Sequence, residues 1–369
     1  MTLVQKIPQL LAVIFTLFTF VGKATADDYH YSDVIIGERP AGMGGAYVAV
    51  SDDTAGLYYN PAGITLAQSN SVSASVNTWR QERKTYVGGN GSSDYGVDST
   101  TLQPNFFGII QHTPFGAIGF SYVVRDSLNQ HQDLTWVFPD TTSATENLID
   151  QVNTYNIGPS MAFKVANNIR VGITLYYFYK NETYIDNYAY TVFGNNNQLQ
   201  TQWENNYTKD EESGTRPILG ILYAPEDGKY SVGLSLSKTF VFSANQYSQY
   251  TCRHPVASGA NDPCYTQNDP IHPTVGPTIA HANVLPDYPT EVRLGWAYFP
   301  NKDFLLSADL DYFDSASPDT MVYDWNRQPI INAAVGVEYY LNSGFAVRAG
   351  LYTDRSNIDA QGLIQSQIA

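Results

Sequence analysis

Three groups of residues in this chain have types and spacings that could do chemistry. The first is a run of charges towards the C-terminal end: Glu291, Arg293, Asp309, Asp311, Glu338 and Arg348. Clustered carboxylates can act as acid and base, or line a polar path. With a three-residue turn at 300–302, Arg293 falls opposite Asp309 and Glu291 opposite Asp311, and on the next hairpin Glu338 falls near Arg348. All six share a face with Gly and Ala, which points to a bracing ion-pair network more than to catalysis. The second group is Cys252 and Cys264, the only cysteines. In an exported chain, such a pair reads as one disulfide closing a small loop. A metal site would need more ligands; His254 is near, but no fourth group is evident, so neither metal nor cofactor is expected. The third group is the histidines, at 30, 112, 131, 254, 272 and 281. None stands in a recognisable pairing with Ser or Asp, as a hydrolase would require, so the chain is not expected to be an enzyme.

The elements that must position these residues begin after an export signal. Lys6 opens a short basic region, an apolar stretch runs from Leu10 to Val21, and Ala24-Thr25-Ala26 is a small-x-small cleavage pattern. Residues 1–26 are therefore expected to be removed, since the apolar stretch falls short of the about 20 residues that span a bilayer. Beyond it no apolar 20-mer occurs. Aromatics nevertheless make up 14% and charged residues only 15%, where about 25% charged is usual in soluble domains. That balance suits a transmembrane β-barrel, in which apolar residues occupy alternate positions. The net charge of −15 argues against nucleic acid as a partner.

Alternation carries the fold. Val171, Ile173, Leu175, Tyr177 and Tyr179 share one face, opposite Gly172, Thr174 and Tyr176; Tyr230, Val232, Leu234 and Leu236 oppose Ser231, Gly233, Ser235 and Ser237. Period two with large apolar side chains on one face and Gly or Ser on the other describes strands between lipid and a lumen. Eleven strands are expected, at 70–80, 102–112, 115–125, 153–165, 169–182, 214–224, 229–240, 288–299, 303–314, 329–341 and 344–353. Short connections alternate with long ones, at 81–101, 126–152, 183–213, 241–287 and 315–328, as periplasmic turns alternate with outer loops. An odd count leaves the chain end on the outside and an edge in lipid, so the barrel is expected to be C-terminally incomplete.

Ahead of the first strand stands GERPAGMGGAYVAVSDDTAGLYYNPAGI, residues 37–64. Gly42, Gly44 and Gly45 permit turns that residues with a Cβ disfavour. Asp52 and Asp53 follow a short apolar run, and Pro61 pushes Asn60 away from helix ahead of Ala62. Signal, glycine cluster, paired aspartates and Asn-Pro-Ala-Gly, in that order, resemble the N-terminal hatch of the FadL-like outer-membrane transporters of long-chain fatty acids and other hydrophobic compounds. Leu285-Pro286 and the hairpin around Val335–Tyr339 and Arg348–Tyr352 resemble that family more weakly.

The resemblance implies an all-β, transmembrane antiparallel barrel, of fourteen strands in the family, with the hatch inside the lumen. It divides the chain into a signal (1–26), a hatch (27–66) and a barrel (67–369). It implies a monomer in the outer membrane of a Gram-negative bacterium, in contact with outer-membrane lipid, that takes up fatty acids or aromatic hydrocarbons passively. Gly42, Gly44, Gly45, Asp52, Asp53, Asn60, Pro61 and Ala62 would hold the hatch, and Gly119 in the third strand could mark an inward kink that opens a lateral route. A general diffusion porin, or a structural or secretion-associated barrel, is the alternative.

Overall fold

The computed structural model describes residues 30–357, apart from 32–33, 91–92, 138–142, 194–196, 227, 255–263, 265–273, 277–284, 317–326 and 343–344; within 76–103 and at 192, 274–276 and 342 only the backbone is described. The expected signal, the first residues of the hatch, His272 and His281 lie outside the described residues.

The described chain is an antiparallel sheet of thirteen strands: β1 (Ser71–Asn90), β2 (Ser93–Thr113), β3 (Gly116–Val137), β4 (Ser143–Ala166), β5 (Ile169–Phe193), β6 (Leu199–Tyr223), β7 (Tyr230–Ser237), β8 (Phe240–Arg253), β9 (Thr274–Gly276), β10 (Glu291–Asn301), β11 (Phe304–Phe313), β12 (Ile330–Asn342) and β13 (Phe345–Tyr352). Eleven of them form the paired order β1 to β7, then β10 to β13. β8 carries on the line of β7 after a break at 238–239 and pairs with β6, while the short β9 pairs with β8.

Eleven staves is the number the alternation predicts, but their lengths differ from the sequence reading. Most of the expected long loops at 81–101, 126–152 and 183–213 are strand: β5 pairs with β6 without interruption from Ile169↔Tyr223 to Phe193↔Leu199. Above Tyr179 these strands carry mostly Thr, Asn, Asp, Glu and Tyr on both faces. No apolar face marks them, although their backbones pair as regularly as those below.

Outward side chains define the membrane band. Leu175, Tyr177, Ile221, Leu234, Leu294, Leu310 and Val335 are each 41–52% exposed, while β7 alternates exposed and buried along its whole length. From Ile169 to Tyr179, ten rises of about 3.3 Å at a tilt near 40° give a height of roughly 25 Å, that of an outer-membrane apolar belt. Tyrosines stack across strands at its upper edge, Tyr122 on Tyr155 at 6.1 Å and Tyr155 on Tyr179 at 6.3 Å, where amphipathic rings suit the interface.

The core lies inside the wall. It is built from the segment before β1, folded as α1 (Glu38–Gly42), α2 (Gly56–Tyr59) and a 3-10 turn at Pro61–Leu66. Ile36, Met43, Tyr47, Leu57 and Ile64 are wholly buried there. They pack among inward residues of the wall, including Phe106, Val123, Tyr176 and Ile218.

Candidate functional site in the barrel lumen

The hatch owes its shape to a few local devices. Gly44 and Gly45 both sit at positive φ, +64° and +85°, a region closed to most side chains. Gly42 instead ends α1 in helical geometry, and its need is space: a Cβ there would lie 3.0 Å from Cβ of Arg348. Asn60 is extended (φ −156°, ψ 99°), as its place before Pro61 requires. Its Oδ1 accepts from Ala62 N at 3.2 Å, so the Asn-Pro-Ala-Gly sequence caps and opens the 3-10 turn. Asp53 does the same for Ala55 N at 2.8 Å.

The wall meets the hatch through missing side chains. Gly108, Gly119, Gly172, Gly220, Gly233, Gly295, Gly336 and Gly350 lie on eight different strands, and a Cβ at each would run into hatch atoms. Gly172 and Gly220 face Pro61–Ala62, Gly233 and Gly295 face Val48–Ala49, and Gly336 and Gly350 face Met43. Gly119 faces Leu57 and pairs regularly with Ile110 and Ser160. It therefore makes room for the plug and does not bulge the strand. The irregularity of β3 lies farther up, between Val124 and Asp126.

Between these contacts, polar side chains of the wall reach hatch backbone that would otherwise be buried unpaired. Asp309 Oδ2 accepts from Tyr47 N (2.6 Å) and Val48 N (2.8 Å). Ser231 Oγ donates to Ala49 O (2.6 Å), Thr174 Oγ1 to Leu57 O (2.7 Å) and Asn105 Nδ2 to Ile35 O (3.1 Å). In the other direction, Asn60 Nδ2 donates to Ile221 O of the wall at 3.0 Å.

The late-strand charges all face the lumen, but two pairings differ from expectation. Arg293 lies opposite Asp311, Asp309 opposite Gly295, and Glu291 opposite Phe313. The register is two residues from that expected because β10 runs through Asn301, with a register shift between Tyr298 and Asn301, and only Lys302–Asp303 turns. Asp309 thus anchors hatch amides and does not pair with Arg293. Glu338 does lie opposite Arg348. Its Oε2 accepts from Arg348 Nε (3.1 Å) and from Arg39 Nε of the hatch (2.8 Å). Arg39 also contacts Asp52 (2.5 Å), Asp53 (3.7 Å) and the Tyr47 hydroxyl (3.0 Å). Burial opposes the Arg39 charge, but Tyr47, Asp52 and Glu338 outweigh it and hold the guanidinium above its ordinary pKa. Glu291 is gripped by Arg293, by Arg216 (2.6 Å) and more loosely by Arg125 (3.6 Å). Arg293 and Arg216 lie over the Tyr58 ring at 5.3 and 5.7 Å, cation–π contacts of ordinary range.

Above the hatch lies a cavity of about 160 Å³. Tyr31, Phe178, Tyr288 and Phe313 give it aromatic walls, and Arg125, Lys180, Arg216, Lys238 and Arg327 bring cations to its surface. Asp126 and Glu291 are the carboxylates that line it. Beside it the wall is imperfect. β2 and β3 pair from Thr113↔Gly116 to Phe106↔Val123 and again at Ser99↔Gln130, with no pair described between. Arg125 and Asp126 line the cavity within that interval. Far above, Cys252 at the end of β8 is joined to Cys264, with Cα atoms 5.4 Å apart. His254 there meets Glu204 at 2.9 Å. Among the described residues no group of His, Cys, Asp and Glu is arranged to hold a metal.

A family model for outer membrane protein transport proteins (OMPP1/FadL/TodX) matches residues 37–364, from the glycine-rich part of the hatch to beyond the last described strand. The chain belongs to that family. Its fold agrees with solved structures at low identity. The Ralstonia pickettii toluene transporter TbuX is 14% identical, with 87% of each chain covered and a TM-score of 0.57. The Pseudomonas putida toluene transporter TodX is 15% identical, with 89% of this chain and 86% of that one covered and a TM-score of 0.57. A Pseudomonas aeruginosa FadL homologue is 12% identical, covering 89% and 82%, with a TM-score of 0.54. A search of curated proteins found no match. Family membership places this barrel in the outer membrane of Gram-negative bacteria.

Sequence reasoning named the late-strand charges of the wall but missed other members of the site. Arg39, Thr174, Tyr176, Arg216 and Asn105 stand out only once the hatch is seated. Arg39 carried the one available signal, as the cation nearest the paired aspartates.

Proposed function

We propose that this member of the family is a passive channel for hydrophobic compounds that carry an acidic head, long-chain fatty acids first among them. The observation that carries this reading is the cavity above the hatch. Aromatic walls suit an apolar body. Of the five lining cations, Arg216 and Arg125 are paired with Glu291, Lys180 with Glu182 and Glu212, and Lys238 with Asp287; Arg327, which lies over the Tyr288 ring, is the cation best placed to meet an anionic end. A few polar groups in an apolar site are the usual means of orienting a ligand. The filled lumen supports a channel selective for such compounds over an open diffusion porin, because hatch residues close the section with wholly buried side chains. The lapse in pairing between β2 and β3 beside Arg125 supports a sideways exit into the membrane.

The test is uptake of oleate and of toluene by vesicles containing the protein. Substituting Arg327→Leu removes a cation that lines the cavity and lies 5.9 Å over Tyr288. Oleate uptake should fall by about tenfold, the scale of one charge-assisted contact, with toluene uptake little changed. An equal fall for both would reject the acidic head. High ion conductance with the hatch in place, unaffected by either compound, would favour the porin.

A further inference from the structure

We propose that the outward face of the tall part of the wall, on β3 to β6 and β8, is a docking surface for saccharide, and that its occupant is the sugar of the lipopolysaccharide around the barrel. The proposal is independent of what the channel carries. It rests on how these strands divide their side chains between two faces above Tyr179.

Pairing sets the faces. His131, Ile149, Ile185, Tyr207 and Gln249 stand opposite one another across the five strands, and Asp133, Asn147, Asn187, Asn205 and Thr251 form a higher row on the same face. Burial says which way that face looks. On β3, Asn129, His131 and Asp133 are exposed, while Gln130 and Gln132 between them are buried. On β4 and β5 the outward face runs down in register to Tyr155 and Tyr179, then to Ile157 and Tyr177. The surface is thus continuous with the face already given to lipid. From Tyr179 to Thr191 it rises roughly 30 Å, at 3.3 Å per residue and a tilt near 40°. In the outer membrane that is the layer of lipid-linked sugar.

Charge is sorted between the faces. At this height Glu146, Asp150, Glu182, Asp186, Glu204 and Asp210 turn inward, with no Lys or Arg beside them on that face among the described residues of these rows. The outward face holds Asp133, Lys209, Glu211 and Arg253, whose formal charges cancel. Lys209 Nζ lies 2.7 Å from Glu211 Oε1, and Asp133 Oδ1 accepts from Asn147 Nδ2 at 2.6 Å. A chain of net charge −15 therefore presents a neutral face here. The inner sugars of lipopolysaccharide carry phosphate, and like charges set against them would be repelled.

What remains outward is amide, hydroxyl and ring. Asn129, Gln151, Asn187, Asn205 and Gln249 spread over all five strands. Each amide offers donors and an acceptor side by side, which matches neighbouring sugar hydroxyls. Tyr207 and Tyr247 meet edge to face, with centroids 5.7 Å apart. Such rings join an apolar body to a polar tip, and so suit the apolar face and polar rim of a pyranose.

The test compares two probes with the same acyl chains, lipopolysaccharide bearing a complete core saccharide and lipid A lacking it. Their affinities for the full chain in detergent micelles are read by native mass spectrometry, with circular dichroism to confirm the fold of each variant. The native protein should hold the core-bearing form at least about tenfold tighter. Tyr207→Ala and Gln151→Ala should each weaken that binding about fivefold, the scale of one net hydrogen bond, and leave lipid A binding unchanged. Asp186→Asn, on the inward face at the same height, should change neither. Equal affinity of the native protein for the two probes would overturn the proposal, as would an Asp186→Asn loss as large as those of the outward variants. A dimer formed without lipopolysaccharide and broken by Tyr207→Ala would also overturn it, and make the face an interface between copies.

Discussion

At the scale of single residues, Asp309 shows what the sequence could and could not say. Alternation put it on the lumen face, where it is, because period two survives any error in the turn. Its partner was not legible, because a shift of two residues keeps the face and changes every neighbour. Nor does any local pattern announce that a carboxylate will accept from two amides some 260 positions away in the chain. Asp309→Ala should uncap Tyr47 N and Val48 N and cost about 2 kcal/mol or more, as buried amides lose an acceptor. Limited proteolysis of the hatch should quicken accordingly, and Asp309→Asn, which retains an acceptor, should lie between the two. Cleavage as slow as in the native protein would show that these amides find other partners.

At the scale of elements, the hatch motif and the number of staves were legible and the strand lengths were not. Asn60-Pro61 dictates its own backbone, so its geometry follows from two residues. β4, β5 and β6 continue for a dozen or so residues beyond the apolar belt, where pairing is backbone to backbone and side chains leave no period to read. Gly119 belongs to this scale too. Substituting Gly119→Val should unseat Leu57 and loosen the hatch without disturbing β3. Circular dichroism should keep its strand signal while the thermal transition falls, by about one to two degrees for each kcal/mol lost in a chain of this length. A lost strand signal would mean that Gly119 shapes the strand after all. At the outer tip, Cys252 and Cys264 should give no reaction with thiol reagents in the folded, unreduced protein. Two reactive thiols would exclude the bridge.

At the scale of the whole molecule, the hatch and wall form one object in which the plug supplies the core. Deleting residues 27–62 should raise ion conductance strongly and impair hydrophobic uptake together, because the same atoms block water and floor the cavity. Conductance recording and vesicle uptake on one preparation check both halves. Uptake that survived the deletion unchanged would sever the cavity from transport. The sequence could foretell a plug inside a barrel. It could not foretell the cavity, whose lining joins residues from 30 to 357 that meet only once the strands have assembled around the hatch.

The glycines facing the hatch have one further consequence, for how this chain can change over generations. A seal made by omitting side chains is subtractive: no mutation at Gly172, Gly220 or Gly350 can remove atoms, and all of them add some. Drift at these sites has a single direction, towards displacement of the plug. The lipid-facing positions beside them can exchange one apolar residue for another in either direction. A saturation mutagenesis scan for uptake should therefore be lopsided within each strand, with intolerant glycines alternating with permissive Leu, Ile and Val neighbours. The same scan run without the hatch should lose that asymmetry first at the glycines.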